Sequence, residues 1–202
     1  MPHEQIRAEN SASGAPGDDP AVTVSPAPDG VILEPPSVDD GRLLWRLARD
    51  AGLDLNSPYA YALWCRDFAA TSVAARDPGG ELRGFVTGYV RPDAPDTYFL
   101  WQVGVDPAFR GRRLARRMLD HIGDRIEARG VTHLEATVTP DNTASRRLFA
   151  SFARDRGAEA RWSPLFERDH FPHDGPDGHE PEELVRIGPL GRARSGPSER
   201  SS

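Results

Sequence analysis

The chain holds one cysteine, Cys65, and no lysine among its 202 residues. A single thiol excludes an intramolecular disulfide and any zinc site built on several cysteines. All 25 basic residues are arginine, which we read as coding bias rather than chemistry. No apolar run approaches the roughly 20 residues of a membrane span. The opening stretch MPHEQIRAEN lacks a basic segment followed by an apolar core, so no secretory signal is expected and the protein is expected to be cytoplasmic. A formal net charge of −6 makes the chain a poor candidate for non-specific nucleic-acid binding.

Hydrophobic residues are also scarce, at 38% against roughly 45–50% for an average domain on a scale that counts glycine. The deficit sits in the ends. Residues 1–30 scatter Pro16, Pro20, Pro26 and Pro28 among Gly, Ala, Ser and Asp, and residues 191–202 read GRARSGPSERSS. These two stretches are expected to be disordered tails around one domain over 31–190.

Within that domain, residues 31–34 read as a short strand stopped by Pro35-Pro36. Ser37 then caps a helix that carries Leu43, Leu44, Leu47 and Ala51 at helical spacing and ends at Gly52. Asn56-Ser57-Pro58 starts a second helix. Residues 72–76 and 82–90 form a hairpin around Pro78-Gly79-Gly80, 97–105 a third β segment, 113–129 a long helix, 133–139 a strand, 142–156 a helix and 183–187 a last strand. The order implies an α/β domain around a mixed sheet. Residues 163–181 read as a long insertion.

The sharpest chemical signal is RGRRLA at 110–115, where a strand ends, Asp106-Pro107 turns and an arginine-rich loop opens an amphipathic helix. Such a junction aims free N–H groups and the helix dipole at one point, which is an anion site. It lacks the Gly-Lys-Ser/Thr of a P-loop and the spacing of a dinucleotide fingerprint. It resembles the acetyl-coenzyme A loop of the GCN5-related N-acetyltransferase (GNAT) family. Arg110, Gly111, Arg112, Leu114 and Ala115 fit that pattern, Arg113 stands where the family has glycine, and Val103 and Val105 precede on the strand. TPDNTASRRLF at 139–149 resembles the family's second motif. The resemblance implies acetyl-CoA as donor, a GNAT sheet that is mostly antiparallel and splayed at the cofactor, and Asn142 and Arg146 among the cofactor contacts. Phe149 stands where many members carry a tyrosine general acid.

LDLNSPYAYALWC at 53–65, GFVTGY at 84–89, WQV at 101–103, EATVTPDN at 135–142 and RIGP at 186–189 resemble a narrower group, the diaminobutyrate acetyltransferases of ectoine synthesis. That implies acetyl transfer to the 4-amino group of L-2,4-diaminobutyrate and a homodimer. An alkyl ammonium has a pKa near ~10, so a carboxylate must attract the cation and help it shed a proton. Asp54, in the irregular segment between the first two helices, is the first candidate; Glu135, buried near the thioester or paired with arginine, is the second. Tyr59, Tyr61 and Trp101 are candidate substrate contacts or else core, with strand alternation placing Trp101, Val103 and Val105 on one face. His179 and Glu182 are candidate partners for the second ammonium. His170, His173 and the nearby carboxylates are too irregularly spaced for a metal site, and none is expected. The competing functions are acetylation of another small amine or a peptide, or a coenzyme A-binding module without catalysis.

Overall fold

A computed structural model describes residues 29–171 and 179–191; the expected tails, and His173, fall outside them apart from residues 29, 30 and 191. The strands are β1 (Ile32–Glu34), β2 (Val73–Arg76), β3 (Leu82–Arg91), β4 (Ala94–Val105), β5 (His133–Val138), β6 (Glu159–Phe166) and β7 (Glu182–Gly188). The helices are α1 (Gly41–Ala51), α2 (Pro58–Asp67), α3 (Leu114–Glu127) and α4 (Thr143–Asp155). They form one seven-stranded sheet in the order β1-β2-β3-β4-β5-β7-β6. Every neighbouring pair is antiparallel except β4 and β5.

Two layers of helix cover the sheet. On one side α1 and α2 bury Leu44, Leu47, Ala48, Tyr61 and Cys65 against Phe85. Burial and the nearby Asp40 charge push the Cys65 thiol up to about 11, so it is an inert packing group at neutral pH. On the other side α3 supplies Leu114, Met118, Leu119, Ile122 and Ile126, and α4 supplies Phe149, Phe152 and Ala153, against Tyr98, Leu100, Leu134, Ala136, Val185 and Ile187. Alternation along β5 does the sorting: Leu134, Ala136 and Val138 enter this core, and Glu135 faces the other way.

Ser37 stands ahead of a 3₁₀ turn, Val38–Asp40, that precedes α1, and its hydroxyl donates to Asp40 instead of accepting a backbone N–H as a helix cap would. The Ser37 N–H and hydroxyl donate to the Asp40 carboxylate at 2.7 and 3.0 Å, and Arg76 donates to it at 2.5 Å. Burial alone would raise the Asp40 pKa; the guanidinium and the Ser37 bonds outweigh it and hold it below the usual carboxylate range.

An unexpected strand, β6, pairs along β7 from Glu159 to Phe166, and its last four residues fall within the stretch 163–181 expected as a bare insertion. Ala160 and Trp162 pack against the core while their neighbours face solvent. Pro164 masks the pattern, and it is tolerated because β6 is the edge strand and its register shifts between Pro164 and Phe166.

The feature that shapes the site is a bulge in β4. Thr87 pairs with Gln102 and Gly88 with Leu100, leaving Trp101 as the extra residue. Parity flips there. Val103 and Val105 pack on the α3/α4 core, whereas Trp101 packs on Trp64 of α2 with ring centroids 4.1 Å apart. The expectation that these three share a face is therefore corrected: alternation holds only for a regular strand. One residue earlier the sheet parts, because β5 pairs with β4 only over Thr97 to Leu100 and then continues to Val138 unpaired on that side. Gly88 lets the bulge form, since a Cβ there would lie 2.1 Å from the Tyr98 hydroxyl and 2.6 Å from the Phe99 carbonyl. Gly88→Ala is expected to cost about 1–3 kcal/mol by overpacking, read as a lower denaturant midpoint at unchanged slope; an unchanged midpoint would mean the bulge relaxes freely.

Candidate active site

The parting of β4 and β5 opens a cavity of about 430 Å³. Its floor is the two separating strands, with Trp101, Gln102 and Val103 on one and Ala136, Thr137 and Val138 on the other. Gly52, Leu53, Asp54 and Asn56 of the α1–α2 connection form one wall. Asn142, Ser145 and Phe149 form another, three positions on one face of α4 and its cap. Phe166, Phe171, His179 and Glu182 close the side made by the β6–β7 arm.

The connection is tied to the floor. The Tyr61 hydroxyl donates to Gln102 Oε1 at 2.9 Å, and Gln102 Nε2 donates to the Asp54 carbonyl at 2.8 Å. One amide thus spans the bulge and the segment that carries Asp54, leaving the Asp54 carboxylate exposed on the cavity wall. Sequence reasoning passed over Gln102 as a positioning group. Its signal was a polar residue between Trp101 and Val103 in a strand otherwise rich in apolar residues.

At the far end of β4, Asp106 Oδ1 accepts the Ala108 N–H at 2.8 Å and closes a 3₁₀ turn at Pro107–Phe109. Gly111 follows at φ +77° and Arg113 at φ +59°, and α3 begins at Leu114. Arg113 adopts the left-handed conformation a glycine would take, so the chain follows a glycine's path despite the side chain. Backbone bonding stops with the Arg110 N–H on Pro107 O and resumes with the Arg117 N–H on Arg113 O. The N–H groups between them are available to an anion at a helix start. Arg110 braces the loop by donating to the Ala51 carbonyl at 2.9 Å, and Arg112 stacks on Phe109 at 4.6 Å. A splayed sheet, a cavity and an unspent N–H nest along one strand, β4, fit an extended acyl carrier with a diphosphate.

The comparisons agree with that geometry. Residues 42–153 match the sequence pattern of the Acetyltransferase (GNAT) family. The chain belongs to the GNAT family. The L-2,4-diaminobutyric acid acetyltransferase of Streptomyces coelicolor is 58% identical over 160 residues, 78% of this chain and 92% of that protein. The enzyme of the same name from Halomonas elongata is 46% identical over 163 residues, 79% of this chain and 82% of that protein. The diaminobutyrate acetyltransferase of Paenibacillus lautus, solved with L-2,4-diaminobutyric acid and coenzyme A, superposes with a TM-score of 0.74 at 38% identity, covering 79% of this chain and 95% of that one. This GNAT chain is accordingly an acetyl-CoA-dependent N-acetyltransferase, and the expected splayed α/β sheet is what the fold presents.

Of the residues singled out from the sequence, Asp54, Trp101, Val103, Asn142, His179 and Glu182 line the cavity. Asn142 also caps α4, its Oδ1 accepting the Ser145 N–H at 3.0 Å. Arg110 to Ala115 form the loop and the start of α3, and four others stand apart from both. Tyr59 is 73% exposed because α2 turns Tyr61 and Cys65 inward and position 59 lies on the opposite face. Arg146 packs on Trp162 at 4.0 Å and pairs with Glu183, on the flank of α4 next to the face that lines the cavity. Val105 packs on the core beyond the cavity. Glu135 is 3% exposed and spends its oxygens on Arg91, at 2.8 Å, and Arg186.

The Glu135 arrangement is an ion-pair triad across β3, β5 and β7, not a group aimed at the cavity. Glu135→Gln is expected to lower stability by about 1–2 kcal/mol, discounted because both arginines are partly solvated. Turnover at saturating substrate is expected to stay within about threefold. A loss of about 10² or more in kcat with the melting temperature held would instead place Glu135 in the chemistry.

Proposed function

We propose that this chain transfers the acetyl group of acetyl-CoA to the 4-amino group of L-2,4-diaminobutyrate, giving N4-acetyl-L-2,4-diaminobutyrate, the acetylation step of ectoine synthesis. The observation that carries the reading is the cavity at the strand parting, whose titratable lining is Asp54, Glu182 and His179. It is built for a small cationic acceptor. The relatives named for this reaction match the chain over nearly their whole length, which supports the same reading. A peptide acceptor would need an open groove, and Phe166, Phe171 and His179 of the β6–β7 arm occupy that side. A coenzyme A-binding module without catalysis, prompted by Arg113 and Phe149 together, loses the first of these prompts, since Arg113 follows the glycine path.

Acetyl-CoA supplies an activated thioester carbonyl to this site. The N–H groups between Gly111 and Arg116 would hold its diphosphate, and Val103 and Asn142 the arm that enters the cavity. Asp54 attracts the 4-ammonium and accepts its proton, directly or through one water, and the Gln102 amide fixes the backbone that carries it. Trp101 walls the acceptor and offers its ring face to the cation. Glu182 and His179 hold the 2-ammonium, which selects the 4-amino group by distance. Phe149 has no proton to give, so the departing sulfur takes its proton from water or from the displaced ammonium proton. We further propose a cytoplasmic homodimer, by resemblance to the diaminobutyrate acetyltransferases; light scattering behind a sizing column reads the mass directly.

Acetyl-CoA is expected to raise the melting temperature, since it binds the folded chain alone; no shift at millimolar concentration would remove the donor assignment. Asp54→Asn is expected to cut kcat by about 10²–10⁴ while that thermal shift persists. Raising the pH from 7 to 10 should recover part of the loss as free amine accumulates. Equal kcat at pH 7 would take Asp54 out of the mechanism.

A further inference from the structure

The charges in the cavity wall do not match the whole acceptor. At neutral pH a 2,4-diamino acid carries two ammonium groups and one carboxylate. The charged and titratable groups of the wall are two carboxylates, Asp54 and Glu182, and one imidazole, His179; Asn56, Thr137, Thr139 and Ser145 add neutral donors, and no arginine lines it. The chain contains no lysine, and the residues between Phe171 and His179 read PHDGPDG, without arginine. Arginines on the neighbouring elements are already committed: Arg168 donates to Glu180 at 2.7 Å, Arg146 pairs with Glu183, Arg91 and Arg186 hold Glu135, and Arg110 donates to the Ala51 carbonyl. The Gln102 amide is spent at both ends.

A site that grips a carboxylate by charge uses a bidentate guanidinium or an equivalent fork of charged donors, and neutral amide or hydroxyl donors hold it more weakly. Nothing of that kind lines this cavity among the described residues. A group the site does not grip stays in water, and its loss changes affinity little, whereas losing a group held by a desolvated charge is costly. Two wall carboxylates set against two ammoniums make the diamine, not the amino acid, the recognised unit.

We propose that the cavity selects its acceptor through the two ammonium groups spaced by three carbons, and that 1,3-diaminopropane, which lacks the carboxylate, is also acetylated. This rests on the diaminobutyrate reading above and names the acceptor class of the same site as short diamines. One amine nitrogen loses its proton to Asp54 or water and bonds the acetyl carbon as the carbon–sulfur bond breaks. The sulfur leaves as the protonated thiol, and the product is N-acetyl-1,3-diaminopropane.

The test compares three acceptors at saturating acetyl-CoA: L-2,4-diaminobutyrate, 1,3-diaminopropane and 4-aminobutyrate, which keeps the carboxylate and loses the second ammonium. With 1,3-diaminopropane the specificity constant, kcat/KM, is expected to lie within about tenfold of the diaminobutyrate value. With 4-aminobutyrate it is expected to be lower by about 10²-fold. Calorimetric binding of the three to the protein–coenzyme A complex should follow the same order, and Glu182→Gln should shrink the gap between diaminobutyrate and 4-aminobutyrate by about tenfold or more. If 4-aminobutyrate matches or exceeds 1,3-diaminopropane in rate and binding, the carboxylate is read and the inference falls. If diaminobutyrate itself is not acetylated, the functional reading fails instead, and the binding order still decides which groups the cavity grips.

Discussion

The site depends on where β4 stops pairing. Four residues of β4, Thr97 to Leu100, join β5 in parallel, and the next residue is the bulge. A bulge bends its strand and sharpens the local twist, so β4 leaves its neighbour at the point where the extra residue sits. Cavity, aromatic wall and anion loop all follow from that departure. Trp101 is the bulge residue itself, Gln102 is turned toward α2 by the altered parity, and the loop at 110–113 lies at the end of the diverging arm. The steric condition beneath it is small: no side chain at Gly88, where the Tyr98 hydroxyl and the Phe99 carbonyl close in.

Much of this was legible in the sequence, because most of the elements announce themselves by capping, spacing and turn residues. Ser37, Gly52, Pro58, Gly130 and Gly157 punctuate the chain where the structure does, and RGRRLA gave the anion loop through the coincidence of strand end, turn and helix start. The failures share one cause, dependence on contacts remote in sequence. The bulge at Trp101 is set by pairing with β3, so alternation along β4 alone misplaced Trp101 relative to Val103 and Val105. β6 was hidden by Pro164 and exists because β7, sixteen or more residues later, gives it a partner. Arg146 and Tyr59 sit in the motifs that named them but on helical faces that do not line the cavity, a difference of one or two residue steps that a motif does not encode. Glu135 was weighed as a base or an arginine partner; only the fold could bring Arg91 and Arg186 to it.

Electrostatics divides the molecule along similar lines. Arginine outside the site is spent on carboxylates, often across elements: Arg76 with Asp40 and Glu34, Arg83 with Asp77 and Asp106, Arg116 with Asp120 and Asp155. Pairs that are partly solvated contribute little each, but they remove cations from circulation. At the site the charges are arranged differently: Asp54 and Glu182 line the cavity, and N–H groups with arginine stand at the far end of β4. The two ends of the diverging part of β4 therefore carry opposite sign, suited to a cationic acceptor meeting an anionic donor.

The strand order also bears on how the chain acquires this site as it is made. β1 to β4 pair in sequence, so each can dock on the strand before it. β6 cannot, because its place is on the far side of β7, and β7 is the last strand of the domain. Until β7 is synthesised, β6 has no ladder partner and β5 presents a bare edge, the condition that invites wrong pairing. Insertion of β7 between them closes the sheet and brings Phe166 and Glu182 to the cavity in one step, so the acceptor wall is the final part of the catalytic fold to exist.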